Sequence, residues 1–219
     1  AHNNLGLAWW TRGEYEARIG LDPRDALGRA VEAFGRAAEI NPKQALALGN
    51  LGGVHLAVGD WENGHGVDPA GSYDRAIAAC ERAIAINPRL AHPHNNLANA
   101  FLRKSAHEQI HGLDPNPSLD RAIQAYRAAA ELNPRLALPW GNMGVAYQSK
   151  AGYAVEVGVD PRPDLDRAIE SYRKAIAINP RYASAHQNEG VAHLTLASFR
   201  LERGEDPGPP LADARAALG

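Results

Sequence analysis

Cysteine, methionine and phenylalanine are scarce in this chain of 219 residues, which holds one Cys, one Met and three Phe. A single thiol cannot close an internal disulfide, so no covalent framework is read and a reducing compartment suffices; a cytoplasmic location is the expectation. Cys80 also falls in a column that Phe34, Tyr126 and Tyr172 occupy elsewhere, which predicts a small buried hydrophobe. No apolar run approaches the roughly eighteen residues of a membrane span, and the opening AHNNLGLAWW lacks the basic flank and apolar core of a signal peptide. An excess of one charge is missing too. Lys plus Arg number 23 against 25 Asp plus Glu, and a net charge of -2 sets up no field for nucleic acid or an anionic membrane. Neither GxxxxGK[ST] nor a GxGxxG after a strand occurs, and the serines are dispersed without partners. Nothing argues for an enzyme or a cofactor.

What the chain has is repetition. GLDP at 20–23 returns as GVDP at 66–69, GLDP at 112–115, GVDP at 158–161 and GEDP at 204–207, each 46 residues after the last. INP at 40–42 keeps the same beat through 86–88, 132–134 (as LNP) and 178–180. Two ungapped phrases on one period mean a solenoid built of repeated units, which no single closed core would require. The repeats run 1–46, 47–92, 93–138, 139–184 and a truncated 185–219, read as one solenoid domain over 1–219. The chain opens inside a repeat and without Met, so it is expected to be a piece of a longer protein.

In the fourth repeat, Trp140, Met143, Gly144 and Tyr147 stand at helical spacing, as do Ala168, Tyr172 and Ala175, and Pro180 closes the repeat. With Ala168, Tyr172 and Pro180 they resemble the tetratricopeptide repeat, W-x2-L-G-x2-Y, then A-x3-F, then P. His2, Leu5, Gly6, Trp9, Ala30, Phe34 and Pro42 agree in the first repeat, and His94, Leu97, Ala98, Phe101, Ala122, Tyr126 and Pro134 in the third. The resemblance implies an all-α right-handed superhelix of about four and a half helix pairs.

The family period is about 34 residues, so each repeat here carries about a dozen more. They fall between the two helices, because Gly6 to Ala30 is the stretched interval. Met143, Tyr147, Ala151 and Val155 continue one helical face into the insertion, which predicts a first helix from about 139 to 157, ~28 Å long, and a second of roughly 20 Å from near Leu165. Gly158 is placed to end the first helix in a left-handed conformation, Asp160 to form an Asx turn, and Pro161 to forbid continuation. Ser72, Ser118 and Asp164 are then expected as N-caps of the second helices.

HEQIH at 107–111 matches the H-E-x-x-H zinc signature. The register argues against it: Glu recurs in that column as Glu16 and Glu62, His recurs as His65, and His107 stands where other repeats have Tyr15, Trp61, Tyr153 and Phe199. A metalloenzyme on His107, Glu108 and His111 is the remote reading, and no metal site is expected. Asp22, Asp68, Asp114, Asp160 and Asp206 each bring one carboxylate, too few for calcium, and read as turn residues. Arg75, Arg121 and Arg167 each follow an Asp and read as an ion-paired, solvated row.

The column Asn4, Asn50, Asn96, Asn142 and Asn188 places a mediocre helix former in every first helix. The resemblance implies that these residues line a concave groove and bond the main chain of an extended peptide. The alternative, equally open, is that each amide ties its helix to the preceding repeat. The expected function is a non-catalytic scaffold that binds a protein or peptide segment, without nucleic acid or membrane. LDRAIESYRKAIAINP at 165–180 is also similar to repeat arrays attached to bacterial serine/threonine kinases, which implies a larger signalling protein. The rival expectation is a structural module that self-associates through exposed repeat ends into dimers or filaments.

Overall fold

Chain punctuation decides where each helix stops. The computed structural model describes residues 1–218, and among these the first helices of the five repeats are α1 (His2–Arg18), α3 (Ala45–Gly64), α5 (Ala91–Ile110), α7 (Ala137–Glu156) and α9 (Ala183–Glu202). The second helices are α2 (Arg24–Ile40), α4 (Ala70–Ile86), α6 (Asn116–Leu132), α8 (Arg162–Ile178) and α10 (Gly208–Leu218). No strand occurs among the described residues. The fold class is the expected one, an all-α repeat solenoid.

The GxDP phrase works as a stop and a restart. Gly20, Gly66, Gly112, Gly158 and Gly204 all have φ between +71° and +77°, which costs a residue with Cβ but not glycine. Around Gly66, Val67 N–H donates to Glu62 O at 2.9 Å, the long bond of a Schellman end; Leu21 to Glu16 and Val159 to Ala154 repeat it. The Asp Oδ1 of each phrase then accepts the N–H two residues on, at 3.0 Å for Asp22, Asp68, Asp114 and Asp160 and 2.8 Å for Asp206. These carboxylates are turn groups.

The second helices begin earlier than the sequence predicts. Pro23, Pro69, Pro115 and Pro161 are the N-caps, with φ near −80° and ψ near zero, so Ser72, Ser118 and Asp164 lie inside the first turn and cap nothing. The reason is local: the Asp before each Pro already satisfies the first free N–H, and the Pro ring is preset for helix, so the turn closes at once. The added residues therefore lengthen both helices, the first to 20 residues in α3, α5, α7 and α9 and the second to 17 in α2, α4, α6 and α8, or ~30 and ~26 Å. At the other end, Asn41, Asn87 and Asn179 sit outside helical space at φ −134°, −142° and −131°, because each precedes Pro.

The helices form two compact units, Ala1–His111 and Gly112 onward. In the first, α3 packs against α1, α2, α4 and α5, whereas α2 and α4 do not meet. First helices therefore lie side by side and second helices back them one by one. The family's small residue makes this possible: a Cβ on Gly6 would stand 2.7 Å from the Phe34 ring, and one on Gly52 would collide with Cys80 Sγ. In the second unit, Gly144 does the same beneath Tyr172. Phe34, Cys80, Tyr126 and Tyr172 are fully buried, each ring contributing about 2–3 kcal/mol of hydrophobic stabilisation. Burial pushes the Cys80 thiol up to about 12, so it is an inert core group.

Candidate protein-interaction face

The side-by-side first helices of the first unit carry part of the asparagine column. Asn4 is exposed, Asn50 is half-buried and Asn96 is buried. Asn50 Nδ2 donates to Asn3 Oδ1 at 3.2 Å, and Asn96 Nδ2 donates to the Gly49 carbonyl at 3.2 Å. Both bonds reach back to the first helix of the preceding repeat, so these two amide groups join neighbouring helices of one face. In the second unit Asn142 and Asn188 are half-buried on α7 and α9. Trp10 crosses the same face in the first unit. A Cβ on Gly53 would stand 2.5 Å from its ring and 2.9 Å from the Asn96 amide, so Gly53 is the floor on which the indole lies. Leu7 and Leu46 stay open to solvent at the edge of this face, 40% and 54% exposed.

The lengthened ends of the first helices are chemically different. There the GxDP loop of one repeat lays a side chain on the aromatic column of the next. Arg24 sits 4.6 Å over the Trp61 ring while His65 stacks on it at 4.2 Å, and Arg162 sits 5.5 Å from the Phe199 ring. Arg24 is held by Asp22, Nη2 to Oδ2 at 2.6 Å, and these bonds lower the Asp22 carboxyl to about 2. Asp160 is likewise lowered by Arg162. In the middle repeat Asp68 Oδ1 lies 3.5 Å from His107 Nε2. The insertion is thus also a joint between repeats. Asp74 and Asp120 meet Lys104 and Lys150 at 2.7 and 2.6 Å.

HEQIH is explained by the same helix end. His111 Nδ1 lies 2.8 Å from the His107 carbonyl and its ring packs on His107 at 4.2 Å, as His65 does with Trp61. The two imidazoles lie against each other with their planes tilted by 41°. No group of three metal-ligating side chains occurs among the described residues.

None of these cross-repeat contacts was read from the sequence. The signal was available as constant offsets between opposite charges: 30 residues for Asp74–Lys104 and Asp120–Lys150, and 43 for Asp60–Arg103 and Arg162–Glu205.

Comparison with known proteins agrees with this architecture. Residues 164–196 match the family model described as "TPR repeat". The solved structure of MamA is 20% identical over 94% of this chain and 93% of its own, with a TM-score of 0.60. TTC0263, a thermophilic TPR protein of Thermus thermophilus, is 17% identical over 97% and 98%, with a TM-score of 0.56. Pseudomonas aeruginosa pilF is 16% identical over all of this chain and 78% of its own, with a TM-score of 0.58. No curated protein matches the chain. No described helix is long and apolar enough to cross a membrane. Residues 164–196 therefore carry a tetratricopeptide repeat, and helix pairs on a fixed period, with Gly6 under Phe34 and Gly144 under Tyr172, give the chain a tetratricopeptide-like all-α solenoid fold, of the kind that serves in general as a protein-interaction scaffold.

Proposed function

We propose that the chain is a non-catalytic scaffold that binds an extended protein segment on the face made by its first helices, as part of a larger signalling protein. One observation carries the reading: in the first unit α3 packs on both α1 and α5 while α2 and α4 stay apart, which makes the first helices a continuous inner layer. Along that layer stand Asn4, Asn50 and Asn96, with Leu7 and Leu46 exposed beside them; Asn142 and Asn188 hold the same column in the second unit. Amides offer bonds to a peptide main chain, and open leucines offer area to bury.

The test starts from a library of displayed random peptides selected on the chain. A selected peptide should protect the amides of α3 and α5 in hydrogen exchange. Asn4→Ala should weaken it by about threefold to tenfold, the loss of one hydrogen bond. Asn96→Ala should differ, because it removes the bond to the Gly49 carbonyl of the neighbouring helix and costs about 0.5–1.5 kcal/mol of stability in a melt without peptide. Protection confined to α2 and α4 would overturn the proposal.

A further inference from the structure

Two equivalent clefts lie between consecutive first-helix ends in the first compact unit, and the chain itself shows what one of them holds. The cleft between α3 and α5 is lined by Asp60, Tyr73, Arg103 and His107 among others. Arg103 reaches across it from α5, Nε to Asp60 Oδ1 at 2.9 Å, and the Tyr73 hydroxyl lies 3.4 Å from the same oxygen. A guanidinium is the natural occupant of that place.

One repeat earlier, the cleft between α1 and α3 has a volume of about 420 Å³ and is lined by Glu14, Leu27, Ala57, Asp60 and Trp61 among others. The 46-residue period maps these onto the second cleft: Glu14 stands for Asp60, Ala57 for Arg103 and Leu27 for Tyr73. The carboxylate is kept, but both of its partners are gone. Glu14 is exposed and has no ion-pair partner among the described residues. Ala57 leaves open the room that the Arg103 stem fills next door, and Leu27, Pro23 and Ala17 supply an apolar wall for methylene groups. Arg24 does not neutralise the site, since it is committed to Asp22 and the Trp61 face.

We propose that the cleft between α1 and α3 binds an arginine side chain presented by a partner protein, with the guanidinium on Glu14 in the manner of Arg103 on Asp60. A planar donor suits a carboxylate better than an ammonium does. The proposal stands apart from the asparagine face: it concerns a different site, and its test uses the side chain alone.

The experiment is an NMR titration with Nα-acetyl-arginine amide, with Nα-acetyl-citrulline amide as the neutral isostere. The arginine probe should shift the Ala57 amide and the Trp61 indole with a Kd on the order of millimolar, as suits a ligand of this size. Citrulline should not. Glu14→Gln, an exposed and isosteric change, should weaken the response about fivefold, and Ala57→Arg, which supplies the missing guanidinium from within, should abolish it. Equal response to both probes, no response at tens of millimolar, or an unchanged response in Glu14→Gln would each overturn the proposal.

Discussion

The two halves of α3 belong to one helix and are held by different physics. The half with Gly49, Gly52 and Gly53 is closed by contact so near that a methyl group has no room: a Cβ on Gly49 would stand 2.8 Å from Pro93, and one on Gly53 would stand 2.5 Å from Trp10. The half that ends at Trp61 and His65 packs closely once more at Gly59, where a Cβ would stand 2.5 Å from the Tyr73 ring, and beyond it is held at the surface by a ring stack, a cation over a ring, a capping glycine and the Asp60–Arg103 pair. Close packing is intolerant at the Gly52 column, which stays small in every repeat as Gly6, Ala98, Gly144 and Gly190. Exposed pairs contribute roughly 0–1 kcal/mol each and can be exchanged one for another. That is what the repeats do: Arg24 on Trp61 and Arg162 by Phe199 are one solution, and Asp68 by His107 is another at the same place. The family part of the repeat maintains the fold, and the added part is free to vary its chemistry, as the unpaired Glu14 beside the paired Asp60 shows.

The contrast breaks most clearly at Gly52. Its Cβ would collide with Cys80 Sγ and stand 3.1 Å from the Ala76 carbonyl, which is backbone and cannot swing away. Gly52→Val should cost about 3 kcal/mol, read as a fall in urea midpoint. A cost below about 1 kcal/mol would mean that the close half yields as easily as the tip. Gly66→Ala probes the tip. Nothing lies within 4 Å of the added Cβ, so only the left-handed φ of +72° opposes it, and the cost should be about 1 kcal/mol. A third effect is one of pH. Burial, with Arg75 beside it, lowers His55 from 6.5 to about 4. Between these limits the unfolded chain binds more protons than the folded one, so stability is full above about 6.5 and is lost as pH falls toward about 4. His55→Phe, which puts the ring of Phe101 into the same column, should flatten that slope. An unchanged slope would assign the acid sensitivity to other groups.

Much of this was legible in the residues. The period, the paired helices, the left-handed glycines and the Asx turns all follow from what neighbouring residues do to one another, and local rules reach them. The N-caps were misplaced at Ser72, Ser118 and Asp164 because capping preference was weighed residue by residue, whereas the Asp-Pro step starts the helix as a unit. Long-range pairs were missed for a different reason. Arg103 and Asp60 are 43 residues apart, and only the packing of consecutive first helices sets their offset. The asparagine column was visible as a pattern, but a pattern does not say whether an amide bonds outward or inward. The Asn96–Gly49 bond shows one amide turned inward, onto the preceding helix.

Native-state hydrogen exchange along α3 tests the central claim most directly, since both halves are read in one helix of one molecule. Amides from Gly52 to Val58 should be protected up to the full unfolding free energy of the first unit, while those from Trp61 to Gly66 should exchange through local opening with a free energy lower by about 2 kcal/mol or more. Uniform protection from Gly52 to Gly66 would show that the added helix ends are as firmly built as the family core, and the division of labour drawn between them would be wrong.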